Sequence, residues 1–462
     1  MPSLSRRLLT LPLLALLGSG AGQGQPPTPT PAAQVAAPLP AARVAALDAA
    51  LRAAGNAHVG VLVADAQTGE TLYARRDGEA FTPASNMKLL SLGTVLDTLG
   101  GDYWFSTTVT RPAGTGAHAD HLTLVGSGDP SLEAAQGEHS LAGLARQVYR
   151  SGVHRVDALH LDPHLIGAPA GTDESGWSVP VAERPVTGLT LNDPTAGEGQ
   201  SITTTPDTRA ALRRLGGVFR QELRRAGVTV GETVTVTPAP MPGVKMRPEE
   251  GVATTRSAPL LTLVQRALKR SDNVWTEQLY ARLGVNTGTP VWRPASPRHA
   301  RAQEERLLTA AGAPLAGLVV RDGSGLSGQD RLTPRLLVGL LRWTYLHAQP
   351  SGLTPLQAYR QRKNPLIEAL PRAGTGTATR ADTELGGTLA SRLAGLDVRA
   401  KTGTLPGVSS LSGYLGLPDT RPGGGRVLVF SILMDRYAGP GQDLRRVQDT
   451  LLRTLAAPPA AD

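Results

Sequence analysis

The chain has 462 residues, of which 40% are hydrophobic and 4% aromatic, so it can bury a sizeable core and has room for two domains. It contains no cysteine, which excludes disulfides and the lipid attachment site of a lipoprotein. The formal net charge is +9, carried mostly by arginine, yet no stripe of lysine and aromatic residues indicates nucleic-acid binding.

The N-terminus has the pattern of an export signal. Arg6 and Arg7 precede an apolar run at residues 8–17, and small residues follow up to Gly22. The apolar run is about half as long as a membrane span requires, so no stable membrane span is expected. We predict a signal peptide at residues 1–22, a Pro/Ala-rich linker at 23–44, and an exported protein of the periplasm or cell envelope.

Alternating patterns at the two ends of the remaining chain predict one shared sheet. Residues 58–65 and 70–76 flank the turn Gln67-Thr68-Gly69 and predict an antiparallel hairpin. Residues 398–405, 410–415 and 426–434 predict three more strands, followed by a helix at 442–455. The fold class is therefore predicted as α/β (α+β), with a five-stranded antiparallel sheet and flanking helices.

A second domain is predicted to be inserted between these two ends. Residues 109–252 contain short predicted strands at 121–125, 158–161 and 229–236, and a predicted helix at 208–226. A discontinuous catalytic domain would then comprise residues 45–108 and 253–462. The ends of the insertion, near Val109 and Val252, are expected to lie close together because both must rejoin that domain.

The segment around Ser85 and Lys88 predicts a catalytic serine. Pro83 precedes it, and the helix that follows is marked by four apolar residues at near-helical spacing and by a pair of glycines at its end: Leu89, Leu92, Leu96, Leu99, Gly100 and Gly101. Lys88 would lie one turn from Ser85 on the same face. A serine needs a base to take its proton, and lysine acts as a base only when burial or a neighbouring cation lowers its pKa. Lys401 would supply that cation.

Lysine usage adds weight to this prediction. The chain has only five lysines, whereas arginine carries nearly all the other positive charge. Arginine stays protonated and cannot act as a base, so a retained lysine suggests a requirement that arginine does not meet. Two of the five, Lys88 and Lys401, fall in the candidate catalytic motifs.

The tripeptide Ser271-Asp272-Asn273 lies between two predicted helices, at residues 259–269 and 274–283. A short loop at this position can place a hydroxyl and an amide in a cleft. Ser271 would relay a proton towards the leaving amine, and Asn273 would hydrogen-bond a substrate amide.

The tripeptide Lys401-Thr402-Gly403 lies on a predicted strand that borders the cleft. Such a strand can pair its backbone with an extended peptide, and Gly403 would let the substrate come close. The backbone N–H groups of Thr404 and Ser85 would form an oxyanion hole.

These three motifs, in this order, resemble those of the penicillin-binding proteins, specifically the low-molecular-mass class C group of the penicillin-binding protein 4 type. Four further segments carry the same resemblance, namely residues 81–85, 126–132, 322–327 and 387–389. About 185 residues separate Ser85 from Ser271, which is too many for a β-lactamase and indicates an extra domain. The resemblance implies a serine β-lactamase/DD-peptidase-like transpeptidase fold that carries an inserted domain.

The resemblance also implies an activity, that of an exported serine D-alanyl-D-alanine carboxypeptidase/endopeptidase. Its substrates would be peptidoglycan peptides that end in D-Ala-D-Ala or are cross-linked through D-Ala, and β-lactam antibiotics would inhibit it by acylating Ser85. Lys88 would be the base, and Ser271 with Lys88 would protonate the leaving group. Lys401 and Thr402 would hold the terminal carboxylate.

No cofactor and no metal are expected. His118, His121, His160 and His164 alternate with aspartates and have ligand chemistry, but the mechanism requires no metal. A serine β-lactamase is the first alternative function. It is weakened because class A deacylation uses a glutamate followed four residues on by asparagine, a pattern absent between the second and third motifs. A non-catalytic cell-wall-binding protein is the second, although it would be expected to lose motif residues.

Overall fold

A computed structural model describes most of the chain after the predicted signal peptide. The described residues are 39–166, 186–192, 208–237, 248–285, 295–348, 350–418 and 425–458. The predicted signal peptide and residues 23–38 of the predicted linker lie outside them. Helix α1 (Ala41–Arg52) begins inside the segment predicted as linker. The last four linker residues form its first turn, and its later residues Leu47 and Leu51 are buried and anchor it.

The first sheet has five antiparallel strands in the order β2-β1-β10-β9-β8. The strands are β1 (His58–Asp65), β2 (Thr71–Arg75), β8 (Asp397–Leu405), β9 (Val408–Leu417) and β10 (Arg426–Asp435). Strand β1 pairs with β10 along its whole length, which joins the two ends of the chain in one sheet. The predicted fold class is thereby confirmed, with strand ends within about two residues of those expected.

Both faces of this sheet are covered by helices, so its central strands are apolar on both sides. One face packs against α1 and α12 (Gly441–Ala456), with Leu51, Ala400 and Leu451 in the shared core. The other face packs against a helical layer whose core includes Leu92, Leu263 and Leu336. The helices on this side are α2 (Met87–Leu99), α5 (Leu260–Arg270), α6 (Asn273–Leu283), α7 (Pro297–Ala310), α8 (Pro334–His347), α9 (Pro355–Arg360), α10 (Pro365–Glu368) and α11 (Arg380–Gly386).

A second sheet is formed by the middle of the chain, in the order β6-β5-β4-β3-β7. Its strands and the helices packed on them are β3 (Ser106–Pro112), β4 (His118–Val125), α3 (Leu141–Arg150), β5 (Arg155–Asp162), α4 (Thr208–Arg225), β6 (Thr229–Val236) and β7 (Glu249–Arg256). Strands β4, β5 and β6 are parallel, whereas β3 runs antiparallel to both β4 and β7. Val109 pairs with Ala253, so the two ends of the predicted insertion lie on neighbouring strands, as expected.

Strands β3 and β7 extend the second sheet beyond the predicted boundaries of 109 and 252, since they begin at Ser106 and end at Arg256. The division of the chain into a catalytic and an inserted domain remains a prediction. None of the described helices has the length and apolar character needed to cross a membrane.

Candidate active site

Ser85 lies in a tight turn that precedes α2. The helix predicted to begin at Ser85 starts instead with a 3₁₀ turn, Ala84–Asn86, and becomes α-helical at Met87. Ala84 has a positive φ of 46°, a strained conformation that must be held by its surroundings. Two contacts hold this turn: the Asn86 side chain donates to the Lys401 carbonyl at 2.9 Å, and the Ser410 hydroxyl donates to the Pro83 carbonyl at 2.7 Å. The turn is thereby fixed against strands β8 and β9.

Lys88 lies directly behind Ser85 and is completely buried. Its Nζ is 3.1 Å from Ser85 Oγ, 2.7 Å from Asn273 Oδ1 and 2.8 Å from the Ser324 carbonyl oxygen. An ammonium has three protons to donate, and these three acceptors match them. Burial lowers the pKa of Lys88 to about 8, while nearby carboxylates, chiefly that of Glu277, act in the opposite direction.

The loop between α5 and α6 presents Ser271 and Asn273 to the two lysines. Ser271 ends α5 in a left-handed conformation, and Asp272 caps α6 by accepting from the Trp275 N–H at 3.0 Å. This sharp turn places Ser271 Oγ 2.9 Å from Lys401 Nζ. The Asn273 carbonyl oxygen accepts from Lys88, and its NH₂ group is available for the predicted contact with a substrate amide.

Lys401 is also completely buried. Its Nζ donates to Ser271 Oγ and to the Thr402 carbonyl, both at 2.9 Å. Burial, and secondarily the charge of Lys88, hold the pKa of Lys401 well below its usual value. The sequence led us to expect that the charge of Lys401 lowers the pKa of Lys88. In the structure, burial is the cause that lowers the pKa of Lys88.

Strand β8 brings Gly403 against the serine turn. A Cβ added to Gly403 would overlap Ser410 Oγ and would lie 3.0 Å from the Ser85 nitrogen, so only glycine fits between the strand and the turn. Strand β8 is an edge strand of its sheet. An isolated β-bridge joins Arg399 to Arg372, and from Lys401 onward the outer edge of β8 has no strand partner among the described residues. An unpaired edge of this kind can accept an extended peptide.

The side chains of Thr402 and Thr404 lie on the same face of β8, because successive side chains of a strand alternate. Thr402 is partly exposed, and its hydroxyl donates to the Thr388 hydroxyl at 2.7 Å. Thr404 is exposed. The structure thus brings together Ser85, Lys88, Ser271, Asn273, Lys401 and Gly403 in one constellation and places Thr402 and Thr404 at its open edge.

A loop behind Lys88 belongs to the site, although the sequence predicted no role for it. The Glu277 carboxylate accepts from the Ser324 N–H at 2.7 Å and from the Gly323 N–H at 3.2 Å, and Asp322 accepts from the Gly325 N–H at 2.6 Å. These bonds direct the Ser324 carbonyl at Lys88. Gly325 has a φ of +79°, and a Cβ there would overlap the Ala84 carbonyl, so the loop packs directly on the serine turn.

Burial and the charge of Asp322 raise the pKa of Glu277 to about 7. The sequence contained a signal for this position. Glu277 lies four residues after Asn273, so both side chains are expected on the same face of α6.

The histidines considered as metal ligands have other partners. His118 contacts Asp157 at 2.8 Å, His164 contacts Asp162 at 2.7 Å, and the ring of His121 stacks on that of His160 with centroids 4.2 Å apart. Within the described ranges, no group of three or more histidine, aspartate or glutamate side chains is arranged to hold a metal ion.

Comparison with known proteins assigns this chain to a protein family. The D-Ala-D-Ala carboxypeptidase 3 (S13) family matches residues 42–180 and 183–457. The D-alanyl-D-alanine carboxypeptidase of Actinomadura sp. (strain R39) is 31% identical, with 86% of this chain and 81% of that protein covered. A carboxypeptidase of Mycobacterium tuberculosis is 30% identical, with 85% of this chain and 79% of that protein covered. Penicillin binding protein 4 of Haemophilus influenzae shares the fold, with a TM-score of 0.66 at 18% identity over 89% of this chain and 99% of that one.

Proposed function

Since the chain belongs to the D-Ala-D-Ala carboxypeptidase 3 (S13) family, we propose that its reaction proceeds through an acyl-enzyme on Ser85. The protein is a serine-type D-alanyl-D-alanine carboxypeptidase, and the predicted resemblance to low-molecular-mass class C penicillin-binding proteins is confirmed. One observation carries the mechanism: a completely buried lysine with a pKa of about 8 lies 3.1 Å from the serine oxygen. Neither the family nor these relatives favour the β-lactamase or the non-catalytic alternative.

The acylation step begins with neutral Lys88. It takes the proton of Ser85, whose oxygen attacks the carbonyl carbon of the penultimate D-alanine. The oxygen of that carbonyl becomes negatively charged and is stabilised by the N–H groups of Ser85 and Thr404. Gly403 supports this step because a larger residue would push β8 away from the serine turn.

Departure of the leaving group requires a proton on its amine. Ser271 is suited to relay it: its hydroxyl, held by Lys401, would give its proton to the amine and regain one from Lys88, which carries the proton taken from Ser85. Asn273, two residues further on, contacts Lys88 and keeps this loop beside it. The terminal carboxylate would lie near Lys401 and the Thr402 hydroxyl. Water then hydrolyses the ester on Ser85, and Lys88 again serves as the base.

The substrates follow from the same geometry. The open edge of β8 suits an extended peptide, so we propose that the enzyme acts on peptidoglycan peptides ending in D-Ala-D-Ala and, as an endopeptidase, on peptides cross-linked through D-Ala. β-Lactams would acylate Ser85 as mimics of the substrate. Export to the periplasm or cell envelope is proposed from the N-terminal signal pattern, and residues 109–252 are proposed as a separate lobe that limits which wall peptides reach Ser85.

Purified protein incubated with defined muropeptides tests this function. Monomeric pentapeptide should lose the mass of one alanine residue, and cross-linked dimers should be converted to monomers. The variant Ser85→Ala should yield neither product. If both muropeptides keep their mass with the wild-type protein, the proposed function is wrong.

A further inference from the structure

An open cavity of about 950 Å³ borders the active site at the end of β8, between the β8–β9 turn and the start of α12. Its lining mixes apolar and polar groups and carries a net positive charge. It includes two arginines and no carboxylate, and the lining residues that matter here are Thr404, Pro406, Arg436, Tyr437, Gln442 and Arg445. Its nearest link to the catalytic constellation is Thr404, which directly follows Gly403. A cavity with this charge favours an anionic occupant.

Arg445 is the residue that connects this cavity to the strand. Its Nη2 lies 3.3 Å from Thr404 Oγ1, and its side chain is exposed. No carboxylate of the described residues lies within ion-pair distance of Arg445, whereas the neighbouring Arg446 pairs with Asp443. Arg436, across the cavity, is exposed and reaches Asp435 only at 3.9 Å. Both guanidinium groups therefore have donors available to an anion.

The carboxylate next to the scissile bond needs such a partner. Lys401, the cation predicted for this purpose, is completely buried and donates to Ser271 and to the Thr402 carbonyl. The hydroxyls of Thr402 and Thr404 face the same side of β8, about 7 Å apart along the strand. A carboxylate placed between them would meet the guanidinium of Arg445, which stays charged at every relevant pH.

We propose that this cavity is the subsite for the leaving part of the substrate. Arg445 binds the carboxylate next to the scissile bond together with the hydroxyls of Thr402 and Thr404, and Arg436 binds a further carboxylate when the leaving group is a stem peptide. The inference rests on the proposed function. The cavity is far larger than a carboxylate, which is why we assign to it the longer anionic leaving peptide of a cross-linked substrate as well as D-alanine.

The test compares two acyl donors that differ in the leaving group. One is an acylated peptide ending in D-Ala-D-Ala, and the other is the p-nitrophenyl ester of N-acetyl-D-alanine, whose leaving group has no carboxylate. Arg445→Ala should lower kcat/KM for the peptide roughly tenfold or more, in line with the loss of a charged hydrogen bond, and leave the ester within about twofold. Arg445→Lys should restore part of the loss. Arg453→Ala, an exposed arginine on the same helix, is the matched control and should alter neither value.

A companion variant tests the rest of the cavity. Arg436→Ala should slow cleavage of a cross-linked muropeptide dimer more than cleavage of the monomeric pentapeptide. Equal losses on peptide and ester in Arg445→Ala, or no loss on the peptide, would overturn the subsite. Ester hydrolysis that persists in Ser85→Ala would instead overturn the proposed function, so the two failures are distinguishable.

Discussion

The pH dependence of acylation is the sharpest consequence of the buried lysine. As the proposed base, Lys88 would accept the Ser85 proton only while its amine is neutral. With a pKa of about 8, roughly one Lys88 in ten is neutral at pH 7, against about one in 3,000 if the pKa kept its usual value of 10.5. Burial thus raises the reactive fraction about 300-fold at neutral pH, and this gain is lost as the pH falls.

We therefore expect the acylation rate to rise about tenfold per pH unit between pH 5 and 7 and to level off above about pH 8. The assay is stopped-flow acylation by a chromogenic penicillin, at constant ionic strength. Lys88→Arg retains a charge but cannot release its proton, so its rate should fall by on the order of 100-fold or more.

Lys269 provides the matched control for this experiment. Its pKa is also lowered to about 8 by burial, but its Nζ donates to the carbonyls of Leu370 and Leu385 rather than facing Ser85. Lys269→Arg should leave the acid limb of the profile in place. A rate that is flat from pH 5 to 9 in the wild-type enzyme, or a Lys88→Arg variant of normal rate, would refute the role of Lys88 as base.

Three further variants test neighbouring parts of the account. Glu277→Gln removes the carboxylate that most opposes the lowering of the Lys88 pKa, so the acid limb of the pH profile of acylation should move to lower pH. An acid limb at the wild-type pH would contradict the effect of the Glu277 charge on the Lys88 pKa. Gly403→Ala should slow acylation at least about tenfold because its Cβ meets the serine turn. Gly93→Ala is the control and should not slow acylation, because its Cβ meets open space in α2. Equal rates in the two variants would count against a close approach of β8 to the serine turn. Burial raises the pKa of Glu304 to about 8, above its unfolded value of 4.5, so its contribution to stability is full below pH 4.5 and is lost as the pH rises through 8. Glu304→Gln should therefore show a flatter dependence of Tm on pH between 5 and 8. Thermal unfolding curves of this variant that shift with pH as in the wild type would disprove this expectation.

The strands of the first sheet were predictable from local pattern. Residues 58–65 and 426–434 are bounded by turn residues and are rich in β-branched and aliphatic side chains, so the pattern predicts strands before their partners are known. The candidate residues Ser85, Lys88 and Lys401 could be selected from sequence as well, because short motifs mark them. Their distances were not, since Ser85, Ser271 and Lys401 meet only through packing between segments far apart in the chain.

The parts that sequence reasoning missed depend on long-range partners. Strands β3 and β7 are rich in threonine, arginine and glutamate, and they are stabilised by pairing with each other across about 140 residues. The segment at residues 322–327 carries the family resemblance, but its role becomes visible only when the structure places Glu277 and Lys88 beside it. Arg445 is one of several arginines on an amphipathic helix, and only its 3.3 Å approach to Thr404 distinguishes it.

The central claim is that Ser85 forms the acyl-enzyme, and intact-mass spectrometry after incubation with benzylpenicillin tests it most directly. The wild-type protein should gain the mass of one penicilloyl group, and peptide mapping should place this group on Ser85. Ser85→Ala should remain unmodified, while Ser91→Ala, a nearby serine in α2 whose hydroxyl donates to the Gly323 carbonyl, should still be labelled. A Ser85→Ala protein that still carries one penicilloyl group would show that the nucleophile is another residue.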